Sequence, residues 1–226
     1  MSSRQSTAPS DRCAAPWRLI VPVKHRAEAK SRLKAPSEVS RPALAGAMAR
    51  DTLEAAAGAV GWANVCVVTG DDLMASWATR HGMTVAGDPA AGLNAAVDAA
   101  LKTLRGGRVA VLLGDLPALD VAQLRTALAA CTEHPMALVP DWRDTGTCLL
   151  ASTDRRLTPH FGRDSARRHE HLLPAHRLRL DLPGLRQDVD DAADLASAIE
   201  LGVGRHTRQV LRGEGHAGGT LEPRAP

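Results

Sequence analysis

VAVLLGDLPALD, residues 109–120, is the stretch that decides how this chain folds. Its apolar run stops abruptly at Gly114 and Asp115. A run of this kind, uninterrupted by polar residues, is a strand buried on both faces, and Pro117 forbids its continuation as a central strand. Asp115 therefore lands at the carboxyl end of an interior strand. In open α/β sheets that edge is where ligands sit, because the loops leaving the strand tips form the crevice. A carboxylate there is costly without a partner, and a divalent cation is the commonest way to offset the cost. The plainer role, capping the next helix, belongs better to Asp120, since the helical pattern VAQLRTALAAC starts directly after it.

Outward from this strand, strand and helix patterns alternate. WRLIVPV (residues 17–23) is a first strand, followed by a long basic loop containing KHRAEAKSRLK. Pro42 opens a helix running to about Ala59, and VCVVT (65–69) is a second buried strand. Asp71 and Asp72 cap LMASWATRHG, and the loop DPAAGLN (88–94) enters the helix LNAAVDAALKTLR. After the central strand come the helix 121–131, the strand MALVP, the turn DWRDTGT and the strand CLLAS, which together suggest a local hairpin. HFGRDS (160–165) precedes the charged helix ARRHEHLL; RLRLDL and LRQDVD read as extended, and Asp191 or Asp194 starts a last helix. The pattern predicts an α/β fold with a single doubly wound mixed sheet over residues 17–204. Residues 1–16 and 205–226 have the composition of disordered tails.

Composition narrows the function. With 44% hydrophobic and 23% charged residues, the chain is an ordinary soluble globular protein. One Phe, no Tyr and four Trp leave no stacking platforms for bases, and with a net charge of +3 no Lys/Arg run is long enough to suggest a nucleic-acid patch. Nucleic acid is therefore not an expected partner. The four cysteines form no C-x-x-C pair, so neither a zinc knuckle nor a redox pair is indicated. No apolar leader and no stretch of apolar residues long enough to span a bilayer is present, so a cytoplasmic protein without a membrane partner is expected. Gly213, Gly215 and Gly218 form a G-x-G-x-x-G in the tail that lacks both strand and helix, and is discarded. His169 and His171, one residue apart on a helix, point to different faces; joint metal ligation is not expected, and surface exposure is. No G-x-S-x-G elbow or activated cysteine supports hydrolysis.

What remains is a set of acids and bases at strand ends. Lys24, Lys30 and Arg32 follow the first strand, Asp115 follows the central strand, and Asp188 and Asp190 sit in QDVDD before the last helix. Each is explicable alone as a solvated charge or a helix cap; jointly they describe a magnesium site beside a polyphosphate site.

In their order and spacing, VPVKHRAEAKSRL, MARDTL, VVTGDD, GLNAA, VLLGDLPAL, DTGTCLL, HFGRDS and LRQDVDDAADL resemble the CofC/FbiD nucleotidyltransferases over nearly the whole of the patterned chain. That family makes a guanylylated three-carbon precursor of a deazaflavin coenzyme, on a nucleotide-diphospho-sugar transferase-like fold of the A-type glycosyltransferase kind. The resemblance implies that Asp115 with Asp188 and Asp190 holds Mg2+, with Asp190 favoured as direct ligand. It implies that Thr147, Gly162 and Ser165 bind phosphoenolpyruvate or phospholactate. Lys24, Lys30 and Arg32 would hold the GTP phosphates, Lys24 and Arg32 stabilising pyrophosphate as it leaves, while Thr69, Gly92 and Asn94 would line the nucleotide site. Phosphoenolpyruvate, 2-phospho-L-lactate and 3-phosphoglycerate remain open as acceptors, the Ala- and Arg-heavy composition favouring the first. A different nucleotidyltransferase, or a noncatalytic nucleotide-binding module, is the alternative. Monomer and homodimer are both open.

Overall fold

Seven strands form one sheet, five of them from the apolar runs of the sequence: β1 (Trp17–Pro22), β2 (Val65–Thr69), β3 (Thr84–Gly87), β4 (Arg108–Leu112), β5 (Met136–Pro140), β6 (Thr147–Ser152) and β7 (His176–Arg177). A computed structural model describes residues 16–25, 39–104, 106–154 and 157–213. The helices are α1 (Arg41–Val60), α2 (Asp72–Arg80), α3 (Leu93–Thr103), α4 (Val121–Cys131), α5 (Ser165–Leu172), the single turn α6 (Pro183–Arg186), α7 (Ala192–Leu201) and α8 (Arg205–Leu211). The strand order is β3-β2-β1-β4-β6-β5-β7. β6 runs antiparallel to β4 and β5, and the other pairings are parallel, so the sheet is mixed as expected.

Helices on both faces explain why the strands are apolar without alternation. Leu19, Val21, Val65, Val67, Ala110 and Leu112 pack in one layer with side chains of α1, α2 and α4. Ile20, Cys66, Val68, Val109 and Val111 pack in the other with Ala96, Val97 and Ala100 of α3 and Ala166 of α5. A third cluster joins Leu44 and Met48 of α1 to Val189, Leu195 and Ala198, holding α7 and the segment before it against the domain. Among the described residues, no helix is long and apolar enough to cross a membrane.

Three local expectations need correction. β3 was not apparent in the sequence: it is a four-residue edge strand with mostly exposed side chains, so no apolar run announces it. Residues 185–186 of the expected extended segment LRQDVD belong to the helical turn α6, opened by Pro183. The folded chain also runs past Gly204, since α8 follows it. There Asp51 of α1 accepts main-chain N–H bonds from His206 (2.9 Å) and Thr207 (2.8 Å), a cap supplied from 155 positions away that sequence spacing cannot reveal. Residues 1–15 and 214–226 lie outside the described residues.

Candidate active site

The chain leaves β1 toward β2 and β3 on one side and returns to β4 on the other, so the carboxyl ends of β1 and β4 flank a topological switch point. Gly114 makes the two tips meet. A Cβ there would lie 2.7 Å from the Pro22 carbonyl oxygen and 3.1 Å from Val23 Cγ2, so only glycine lets the chain carrying Asp115 pass so close to the end of β1. Lys24, exposed, follows that tip directly. On the other side Leu113 N–H donates to the Cys148 carbonyl (3.0 Å), which brings Thr147, at the start of the antiparallel β6, to the same edge. Below Asp115, Leu116 N–H donates to Thr52 Oγ1 (3.0 Å), and Gly204 N–H donates to the Pro117 carbonyl (2.8 Å), fixing the loop from beneath.

The second acidic segment arrives at the same tip. Val189 N–H donates to the main-chain carbonyl of Asp115 at 3.2 Å, so QDVDD lies directly against the end of β4. Oδ1 of Asp115 and Oδ1 of Asp188 are both buried. Burial pushes the Cys148 thiol pKa well up, and the charges of Asp188, Asp115 and Asp141 push it further, against the pull of Arg186. Cys148 is thus a buried, protonated thiol beneath a group of carboxylates. Gly184 permits the approach: a Cβ there would overlap the Ala118 carbonyl oxygen and lie 2.9 Å from its carbon. Leu185 N–H then donates to Gln123 Oε1 (3.1 Å).

The acids of 188–194 divide by task. Asp191 caps α7, accepting from Ala193 N–H (2.9 Å) and Asp194 N–H (3.0 Å). Asp194, buried, accepts from the Asp190 and Asp191 N–H groups and pairs with Arg143 at 3.0 Å. Asp190 is exposed, whereas Asp188 is half-buried and shares the surroundings of Cys148 with Asp115. Of the two, Asp188 is the one that lies in the surroundings shared with Asp115. Two carboxylates with buried oxygens, drawn together at a strand tip, form a hard-oxygen donor set that fits a divalent cation.

A candidate metal cluster of another kind lies between α1 and α8, where ligand atoms of Asp51, Glu54 and His206 fall within 4.8 Å of one another. Its atoms already have structural work. Asp51 caps α8, and Glu54 accepts from His206 Nε2 (2.9 Å) and pairs with Arg205. Partial burial opposes the Glu54 charge, but the bonds from Arg205 and His206 outweigh it and lower the carboxyl pKa. This cluster is a clamp for α8.

Thr147 and Ser165 meet: Ser165 Oγ donates to Thr147 Oγ1 at 3.2 Å, and both are buried. Gly162, exposed with φ +117°, offers its carbonyl to Ser165 N–H (3.1 Å) and closes the loop before α5. The expectation for His169 fails. It is wholly buried beside Phe161, whereas His171 is exposed as expected. Its Nδ1 lies 3.0 Å from Thr147 Oγ1, and its Nε2 accepts His160 N–H at 3.0 Å. The missed signal was helical spacing, which puts His169 on the face of Ala166 and Leu173.

Burial, with the nearby His160 and Arg168 charges, lowers the His169 pKa from 6.5 to about 4. Between those values the unfolded chain binds a proton that the folded chain refuses. Stability from this residue is therefore full above pH 6.5 and falls as the pH drops toward 4, by on the order of 3 kcal/mol. Denaturant unfolding of wild type and His169→Gln at pH 7 and pH 4.5 checks this: the wild type should lose more stability on acidification, and equal losses would refute it.

The residues expected to line the nucleotide site lie at element ends. Thr69 is buried at the tip of β2, where its Oγ1 accepts Asp71 N–H (3.1 Å), and Gly92, φ +90°, turns the chain into α3. Asn94 bridges α3 to the 160–165 loop, donating from Nδ2 to the Phe161 carbonyl (3.2 Å) and accepting Phe161 N–H on Oδ1 (2.8 Å). It acts there as a tether between α3 and that loop. Lys30 and Arg32 lie outside the described residues. One organising residue escaped sequence analysis: Asp141, buried, accepts the N–H groups of Thr145 and Gly146 (both 2.9 Å) and so shapes the turn that delivers Thr147. The Asp-to-Gly spacing in DWRDTG was the available signal.

A family model described as "Guanylyl transferase CofC like" matches residues 17–218. The chain belongs to that family. It is 44% identical over 201 residues to a phosphoenolpyruvate guanylyltransferase of Streptomyces avermitilis, a match covering 84% of this chain and 92% of the relative. Its fold is shared with a nucleotide-diphospho-sugar transferase candidate from Desulfovibrio desulfuricans, with TM-score 0.58, 16% identity, and 87% and 97% of the two chains covered. It is shared also with a Mycobacterium tuberculosis protein solved with manganese, with TM-score 0.52, 18% identity, and 83% and 99% covered. The chain is accordingly an enzyme of the nucleotidyltransferase class, on the fold that the strand pattern predicts.

Proposed function

We propose that this enzyme joins the guanylyl group of GTP to the phosphate of phosphoenolpyruvate with release of pyrophosphate, the product serving deazaflavin coenzyme biosynthesis in the cytoplasm. The observation that carries the reading is the Val189-to-Asp115 main-chain bond, which gathers Asp115 and Asp188 at the β4 tip beside Thr147. A relative named phosphoenolpyruvate guanylyltransferase, matched over most of both chains, supports the acceptor.

An oxygen of the acceptor phosphate attacks the α-phosphorus of GTP; the new P–O bond forms as the α–β bond breaks, and pyrophosphate leaves with the electron pair. The acceptor is already anionic near neutral pH, so no protein base is needed. The difficulty is bringing two polyanions together, which calls for positioning and charge neutralisation. A divalent cation such as Mg2+ would supply that charge neutralisation when bound. Asp115 and Asp188 would hold the ion, the carboxylate-rich donor set favouring a hard cation. Thr147, Ser165 and the Gly162 turn would grip the acceptor without adding charge, and Lys24, with Lys30 and Arg32, would draw off pyrophosphate.

Incubation with GTP, Mg2+ and phosphoenolpyruvate, 2-phospho-L-lactate or 3-phosphoglycerate in parallel tests the proposal. Pyrophosphate should appear fastest with phosphoenolpyruvate, and no release with any of the three would overturn guanylyl transfer. GTP binding without turnover would instead identify a noncatalytic nucleotide-binding module.

A further inference from the structure

His169 lies too deep to touch the reacting phosphates, yet both ring nitrogens are engaged. Nε2 faces the main-chain N–H of His160 at 3.0 Å, and that group can only donate. Nε2 is therefore a lone pair. A neutral imidazole carries one hydrogen, which must then sit on Nδ1 and point to Thr147 Oγ1 at 3.0 Å. Burial keeps the ring neutral, its pKa lowered to about 4.

Counting hydrogens gives the consequence. His169 Nδ1, Thr147 Oγ1 and Ser165 Oγ make two contacts, of 3.0 and 3.2 Å, and between them own three hydrogens. Two hydrogens fill the two contacts, so one O–H is left over. In the opposite tautomer the hydroxyls would fill both contacts themselves, with no O–H left for a ligand. An anionic ligand needs a donor.

We propose that His169 is a positioning residue that, by donating Nδ1–H to Thr147, obliges the Thr147–Ser165 hydroxyl pair to donate a hydrogen bond to an anionic oxygen of the acceptor. This rests on the placement of Thr147 and Ser165 in the acceptor site under the proposed function. The His160–Phe161 segment sets the tautomer and is itself tied to α3 by Asn94, so the hydroxyl polarity is established before substrate arrives.

Two substitutions separate the two nitrogens. His169→Gln retains an oxygen able to accept from His160 N–H but no donor to Thr147. His169→Asn places an N–H near the former Nδ1 and gives up the loop bond. The KM for the acceptor should rise about tenfold in His169→Gln and less than about threefold in His169→Asn, with the KM for GTP within about twofold in both. Parallel rises in both KM values, or a larger acceptor effect in His169→Asn, would overturn the proposal. Ring 15N spectra of the unliganded wild type give a readout that needs neither folding of a variant nor turnover. The Nδ1–H form is expected for His169, and the Nε2–H form would overturn the proposal. Failure of the broader reading looks different: wild-type protein without turnover on any of the three acceptors removes guanylyl transfer and, with it, the acceptor role, whatever the tautomer.

Discussion

Asp115→Asn should leave the fold standing and lower guanylyl transfer by about a thousandfold or more. Asparagine has nearly the same shape, and the Asp115 main-chain carbonyl still accepts Val189 N–H, so the segment bearing Asp188 stays docked. What disappears is one of two carboxylates proposed to hold the ion, in a site whose chemistry consists of neutralising phosphate charge. Removing a negative group from the neighbourhood of Asp188 also relieves like-charge repulsion in the metal-free protein, so its melting temperature should be unchanged or slightly raised. Pyrophosphate release at saturating GTP and Mg2+, paired with thermal unfolding, provides the check. Turnover within about tenfold of wild type in a folded variant would take Asp115 out of the ion site. The same measurement ranks the other acids: Asp188→Asn should follow Asp115→Asn, and Asp190→Asn should lose much less, because Asp190 is exposed.

Gly184→Ala is expected to cost about 3 kcal/mol, lowering the melting temperature by about 10 °C, and to reduce turnover about a hundredfold. The added methyl would overlap the Ala118 carbonyl oxygen and also meet Gln123 Nε2 at 3.1 Å. Main-chain atoms cannot swing aside as a flexible side chain can, so α6 must lift from the loop following Asp115. That loop and the chain beyond α6 carry the two carboxylates, and a displacement of about 1 Å suffices for such a loss of rate. Gly46→Ala is the matched control: it lies inside α1 with nothing within 4 Å of the added carbon, and should gain up to about 1 kcal/mol from helix propensity. Equal stability of Gly184→Ala and wild type would show that the two segments do not depend on this contact.

Much of the scaffold was legible because its causes are local. β1, β2 and β4 are apolar over consecutive residues since helices cover both faces, and Asp71, Asp120 and Asp191 each bond N–H groups two or three residues ahead. The family resemblance singled out Thr147 and Ser165, but the hydrogen bond between them is a tertiary contact across 18 residues. His169 was misread because attention to its spacing from His171 overlooked its spacing from Ala166, which places it in the core.

By itself the sequence determined the strand and helix alternation, the mixed doubly wound class and the placing of Asp115 at a strand tip, because period and capping act over a few residues. Tertiary structure alone decided that Asp188 is half-buried near Asp115 while Asp190 is exposed, that Asp51 and Glu54 serve α8, and that His169 touches a buried hydroxyl pair. Each depends on contacts between segments far apart in the chain, where one absent Cβ or one main-chain hydrogen bond selects the neighbour and leaves no periodic mark in the sequence.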